Sequence, residues 1–303
     1  MGYGTWTTQS FASYSTSRGY DYSTETHSIV GDYSAQDMFK SRRIDAMLDP
    51  KNVRRECCDS DEHPNSKPVI LALDVTGSMG DGAVKVAKSL NNIMENLYES
   101  VEDVEFMVMG IGDLYCDDAP IQASQFESDI RIAEQLDKIY FEGGGGGNGY
   151  ESYTAAWYFG LYNCELDCWK RGKKGTIITI GDEPLNPYLQ KSELKRVLGN
   201  IGHDTPTETE DLYKAVIEKY NVYHIALDDR STSYRWYEGT IENSWKPLLG
   251  DHLYVSTLNE LPKTIAEIVK KSNSDDTVVD TFVDIWDNNT VEDAPIDSDG
   301  IGW

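Results

Sequence analysis

Apolar positions along this chain change period several times, and the changes predict alternating strands and helices. Pro68-Val-Ile-Leu-Ala-Leu73 is a continuous apolar run, as expected of a parallel strand covered on both faces. After a Gly/Ser turn, Val86, Leu90, Ile93, Met94 and Leu97 recur at helical spacing. Residues 104–111 predict a second buried strand. Phe126, Ile130, Ala133 and Leu136 mark another helix, and residues 139–141 a short strand. Helical periodicity returns over 153–168, followed by a strand over 176–180. Thr207 and Glu210 form a capping-box signature ahead of a helix over 212–220. Residues 222–227 and 252–255 read as strands, and 261–269 as a closing helix. This alternation implies a three-layer αβα fold, Rossmann-like, with a mostly parallel sheet between helices.

Composition divides the chain into three parts. Residues 1–66 form an extension rich in Tyr, Ser, Thr and Gly, with one helix-like patch over 35–48. Residues 67–271 carry the α/β pattern. Residues 272–303 form an acidic tail with nine acidic residues and no Lys or Arg, expected to be disordered in the free monomer. Val278, Val279, Phe282, Val283, Ile285, Trp286 and Trp303 would be its apolar anchors.

Net charge narrows the partners. Lys and Arg total 27 against 52 Asp and Glu, a formal −25, which argues against nucleic acid and against anionic membranes. No stretch approaches the roughly 18–20 apolar residues of a bilayer span, and the first residues lack the features of a secretory signal. Five cysteines, an odd number with Cys57 and Cys58 adjacent, suggest reduced thiols in a cytoplasm. Cys164 and Cys168 would share one turn of a packed helix face.

Ligands of open α/β sheets bind beyond the carboxyl ends of strands. Three polar loops fall there: Asp74-Val-Thr76-Gly77-Ser78, a loop with Glu151, Ser152 and Thr154, and Gly181-Asp182-Glu183. Hydroxyls and carboxylates are the oxygen ligands that a hard cation such as Mg²⁺ takes. Gly77 is expected to let Asp74, Thr76 and Ser78 turn toward one point.

The stretch Leu71-Ala-Leu-Asp-Val-Thr-Gly-Ser-Met79 resembles the metal-ion-dependent adhesion site of the von Willebrand factor A family, Asp-x-Ser/Thr-x-Ser. Residues 55–66 resemble the lead-in of bacterial and phage members. The resemblance spans about 67–271. It implies the von Willebrand factor A fold and a Mg²⁺ or Mn²⁺ ion on Asp74, Thr76, Ser78 and Asp182. The middle ligand, usually a Thr, departs from the pattern here: Ser152 is the first choice, Thr154 the second, and Glu151 either coordinates or caps the helix.

Other features give weaker chemistry. The run Gly143–Gly147 lacks the Lys-Ser/Thr of a phosphate loop and reads as a hinge for the middle loop. Asp113, Asp117 and Asp118 would rim the metal face as solvated acids. His224, in an apolar strand, would be a hydrogen-bonded core residue. Aromatic residues from Tyr234 to Trp245 would serve core packing. No side chain has the context of an activated nucleophile, and no general base is identifiable, so an enzyme is not expected. The expected function is a metal-dependent interaction module whose cation takes an Asp or Glu from a protein partner. The resemblance implies a MoxR-type AAA+ ATPase as one such partner. The alternative is a structural component of a phage virion or other particle, which would make the chain virion-associated rather than cytoplasmic.

Overall fold

A computed structural model describes residues 4–142, 149–200, 205–229, 232 and 234–274. Gly143–Gly147 and the anchors from Val278 to Trp303 lie outside the described residues.

The central sheet grows from two strands that the apolar runs predicted, β4 (Lys67–Asp74) and β5 (Val104–Ile111), numbered after three short N-terminal strands. Successive side chains of β4 go to opposite faces. Val69, Leu71 and Leu73 enter one core, and Ile70 and Ala72 the other. Covering helices lie on both sides, which gives the predicted three-layer α/β architecture. One core joins α3 (Gly80–Lys88), α4 (Leu90–Tyr98), α5 (Arg131–Leu136) and α10 (Leu261–Ser274). The other joins α6 (Thr154–Asn163), α7 (Lys191–Leu198), α8 (Thr209–Val216) and α9 (Tyr234–Leu249).

The remaining strands are β6 (Ile121–Ala123), β8 (Gly175–Gly181), β9 (Tyr220–Leu227) and β10 (Leu253–Ser256). Sheet order is β10-β9-β8-β4-β5-β6, parallel throughout except for the antiparallel edge strand β6. Strand order therefore reverses between β4 and β8. Their carboxyl ends form the topological switch point, where doubly wound sheets bind ligands.

Residues 4–66 pack against this frame. They contribute α1 (Thr8–Ser17), the hairpin β1 (Asp21–Ser23) and β2 (Ser28–Val30), α2 (Ala35–Met38) and β3 (Arg55–Cys57). Trp6, Phe11, Ile29, Met38, Phe39 and Leu48 join the same core as Val69 and Leu71.

Several local expectations are corrected. The helix expected over 86–97 breaks at Ser89 into α3 and α4. The patch over 35–48 yields only the four-residue α2, opened by a capping box between Ser34 and Asp37. Residues 139–141 are not a strand: the Gln122 side-chain amide pairs with the Tyr140 backbone at 2.7 and 2.8 Å, replacing a ladder rung. Cys164 and Cys168 do not share a helix. α6 stops at Asn163, Cys164 opens β7 (Cys164–Leu166), which pairs parallel with β3, and Cys168 sits in a 3-10 turn. Helix α8 starts at Thr209 without a side-chain cap, so Thr207 and Glu210 form no capping box. The Thr209 hydroxyl instead donates to the Asn186 carbonyl at 2.6 Å.

Candidate functional site

β4 delivers Asp74 to the switch point fully buried. The chain then leaves through an extended Thr76 into a 3-10 turn, Gly77–Met79. Gly77 is not among the glycines with positive φ, so the turn comes from the 3-10 geometry and not from a conformation reserved for glycine. The Thr76 amide and hydroxyl donate to Asp74 Oδ1 at 2.8 and 2.6 Å. One strand over, β8 delivers Asp182, also fully buried. The Ser78 hydroxyl donates to Asp182 Oδ1 at 3.1 Å and ties the two loops together. Four of the five expected ligands thus converge.

Ser152 is bonded to the loop after β5. Its hydroxyl accepts the Leu114 amide at 3.0 Å, and its own amide donates to the Gly112 carbonyl at 3.2 Å. Thr154 is held by Asn186, whose Nδ2 donates to its hydroxyl at 2.6 Å. Glu151 is buried, and its Oε2 has no hydrogen-bond partner.

The middle loop reaches Asp74 through a residue that sequence reasoning missed. The Tyr153 hydroxyl donates to Asp74 Oδ2 at 2.7 Å. Gly181 makes room for it, because a Cβ there would collide with the Tyr153 hydroxyl and ring. Below, the Tyr153 ring tilts against His224 and Trp245, and His224 stacks flat on Trp245 with centroids 3.8 Å apart. Thr179 Oγ1 lies 2.8 Å from His224 Nδ1, so His224 is the hydrogen-bonded core residue expected, and burial lowers its pKa to about 3. Tyr234 and Trp245 are core residues too.

Carboxylates crowd this face. Burial first, and then the charge of Asp182, push the Asp74 carboxyl well above the usual range; bonds from Thr76 and Tyr153 oppose this. Burial and then Asp74 raise Glu151. Glu183 rises to about 7 through burial and then Asp182. Asp113 and Asp117, expected as solvated acids, are instead buried, and the Asp113 amide donates to Asp117 Oδ2 at 2.7 Å. Among the described residues, no three His, Cys, Asp or Glu side chains form a metal-holding group. A cation here would therefore rest on Asp74 and Asp182 with hydroxyl oxygens, a donor set that suits a hard ion retaining water.

No protein-family model matches this chain, and no curated protein does. Solved structures similar to it include the pilus adhesin SpaC from Lactobacillus rhamnosus GG in its open conformation. There the identity is 13%, the TM-score 0.45, and the match covers 74% of this chain and 31% of that one. Another is the vWF domain of the type V pili tip protein Mfa5 from Porphyromonas gingivalis, at 12% identity and TM-score 0.43, covering 69% and 96%. A third is the D319A mutant of the PilB minor pilin from Streptococcus sanguinis, at 13% identity and TM-score 0.43, covering 69% and 62%. The chain thus spans about a third of the adhesin's length. At these values the likeness carries no functional assignment.

Proposed function

We propose that this chain is a protein-interaction module in which Asp74, Thr76, Ser78 and Asp182, with Ser152 from the middle loop, hold a Mg²⁺ or Mn²⁺ ion. The observation that carries the proposal is the junction of Ser78 with Asp182 beside the Asp74–Thr76 pair, at the strand ends where the order of the sheet reverses. Two buried carboxylates repel one another there, and a divalent cation relieves that repulsion. Ser152 can still join, since a hydroxyl that accepts one bond keeps a second lone pair. The ion supplies an electropositive coordination position, which an Asp or Glu of a protein partner fills. The module catalyses no reaction of its own.

The setting belongs to the same proposal. No disulfide links the five cysteines, which fits a reducing cytoplasm. No helix among the described residues is long and apolar enough to cross a membrane. A MoxR-type AAA+ ATPase is the partner class that the sequence resemblance implies. The test is calorimetric titration of the chelated, full-length chain with Mg²⁺ and Mn²⁺, repeated with Asp74→Ala. Saturable binding lost in the variant supports the site; no heat from either ion in the wild-type chain sinks it.

A further inference from the structure

Beside the candidate metal site lies a cavity of about 180 Å³ whose lining includes Asp113, Leu114, Tyr115, Tyr150, Ser152 and Tyr188. Small-molecule sites usually run to about 300–1,000 Å³, so this one suits a single side chain better than a whole ligand. Tyr115 and Tyr188, 67% and 47% exposed, stand at its rim, whereas Asp113 is only 2% exposed. Asp113 Oδ1 accepts the Tyr115 amide at 3.0 Å, but Oδ2 is buried with no hydrogen-bond partner. Arg196 does not satisfy it. That guanidinium pairs with Glu193 at 2.6 Å and reaches the Leu114 and Asp117 carbonyls at 3.3 and 3.4 Å.

A buried carboxylate oxygen without a donor is costly to maintain, so an occupant that displaces its cover and donates to it gains more than a surface contact would. Three tyrosines in the lining select the form of that donor. Aromatic faces attract organic cations, and Arg and Lys use them together with a carboxylate. We propose that this pocket receives a basic side chain, Arg or Lys, of a protein partner. Asp113 takes the charge, and Tyr115, Tyr150 and Tyr188 pack around the stem. The proposal rests on reading this face as the partner-binding surface. Because Ser152 lines the pocket and belongs to the proposed metal site, a partner engaging both would place a basic residue next to its metal-directed carboxylate.

The full-length chain is titrated with n-butylguanidinium, and the amide resonances of Leu114, Tyr115 and Ser152 are followed by NMR. Saturable shifts are expected, present equally in EDTA, absent with neutral n-butylurea, and weakened about tenfold or more in Asp113→Asn. Tyr115→Ala with Tyr188→Ala, both exposed, should weaken binding without disturbing the fold. Equal response to n-butylurea, unchanged affinity in Asp113→Asn, or no saturable shift overturns the proposal. So does an Asp113-dependent response to Mg²⁺ in place of n-butylguanidinium, which would make the pocket a second metal site. Loss of Mg²⁺ binding in Asp74→Ala with n-butylguanidinium binding intact separates the two sites, so either can fail alone.

Discussion

The hydroxyl of Ser78 donates to Oδ1 of Asp182 across 104 residues of sequence, and that bond joins the two strand ends at the switch point. Asp182 and Asp74 are both fully buried, and each raises the cost of ionising its neighbours. On the proposed reading a divalent cation would relieve this crowding of buried carboxyls, and the expectations below follow from it.

Mg²⁺ or Mn²⁺ should stabilise the protein, and Asp74→Ala should abolish the effect. A ligand that binds only the folded state adds about 2.7 kcal/mol at a hundredfold excess over Kd. Thermal melts in EDTA and in millimolar metal measure this directly. A melting temperature indifferent to both ions would sink the occupied-site reading.

The metal-free protein should lose stability as pH rises. Unfolded Asp and Glu titrate at about 4. Asp74 and Glu151 titrate higher when folded, and Glu183 at about 7. Between the unfolded and folded values the native state holds protons that the unfolded state has released, so stability falls through that window. Metal binding expels those protons, so metal affinity should rise with pH and saturating Mg²⁺ should flatten the slope. Urea unfolding at several pH values with and without Mg²⁺ checks this; identical slopes would count against it.

Gly181→Ala should destabilise the chain by about 1–3 kcal/mol, the usual cost of overpacking a filled core. The added methyl meets the Tyr153 ring and pushes its hydroxyl off Asp74. Weaker metal binding should accompany the loss. Tyr153→Phe separates the causes: it keeps the ring against His224 and Trp245 but removes the donor to Asp74. Chemical denaturation of both variants reads the balance, and a fully stable Gly181→Ala would show that the ring has room to move.

Much of this was legible in the chain because burial on both faces leaves an unmistakable mark. β4, β5, β8 and β9 are mostly apolar and buried almost throughout, with Asp74 ending β4 and Asp182 directly following β8. What escaped was short or distant. β6 is three residues with Gln122 at its centre, and no alternation is visible at that length. Cys164–Leu166 continues the helical spacing of α6 and becomes a strand only because β3 lies beside it. Tyr153 reads as a core aromatic, since its hydroxyl partner is 79 residues away. The available clue was Gly181: a glycine directly before a buried acid, at the end of a strand, makes room for another side chain.

Removing the N-terminal segment should unfold the α/β frame rather than trim it. Trp6 and Phe11 are 6% and 1% exposed, and they share one core with Val69, Leu71 and α4. The Trp6 indole donates to the buried Asn91 side chain at 2.9 Å, and the Asn91 amide in turn donates to the His27 carbonyl at 3.2 Å. Without that cover, α4 would show apolar surface and Asn91 would lose its bonds to Trp6 and His27. Phe11→Ala should therefore cost about 3–5 kcal/mol, the range for emptying a buried aromatic site. Unfolding should remain a single transition, because residues sharing a core melt together. Urea denaturation followed by circular dichroism and by tryptophan fluorescence tests both points. An earlier, separate fluorescence transition, or a chain lacking residues 1–50 that melts at the wild-type temperature, would show the segment to be a dispensable cover.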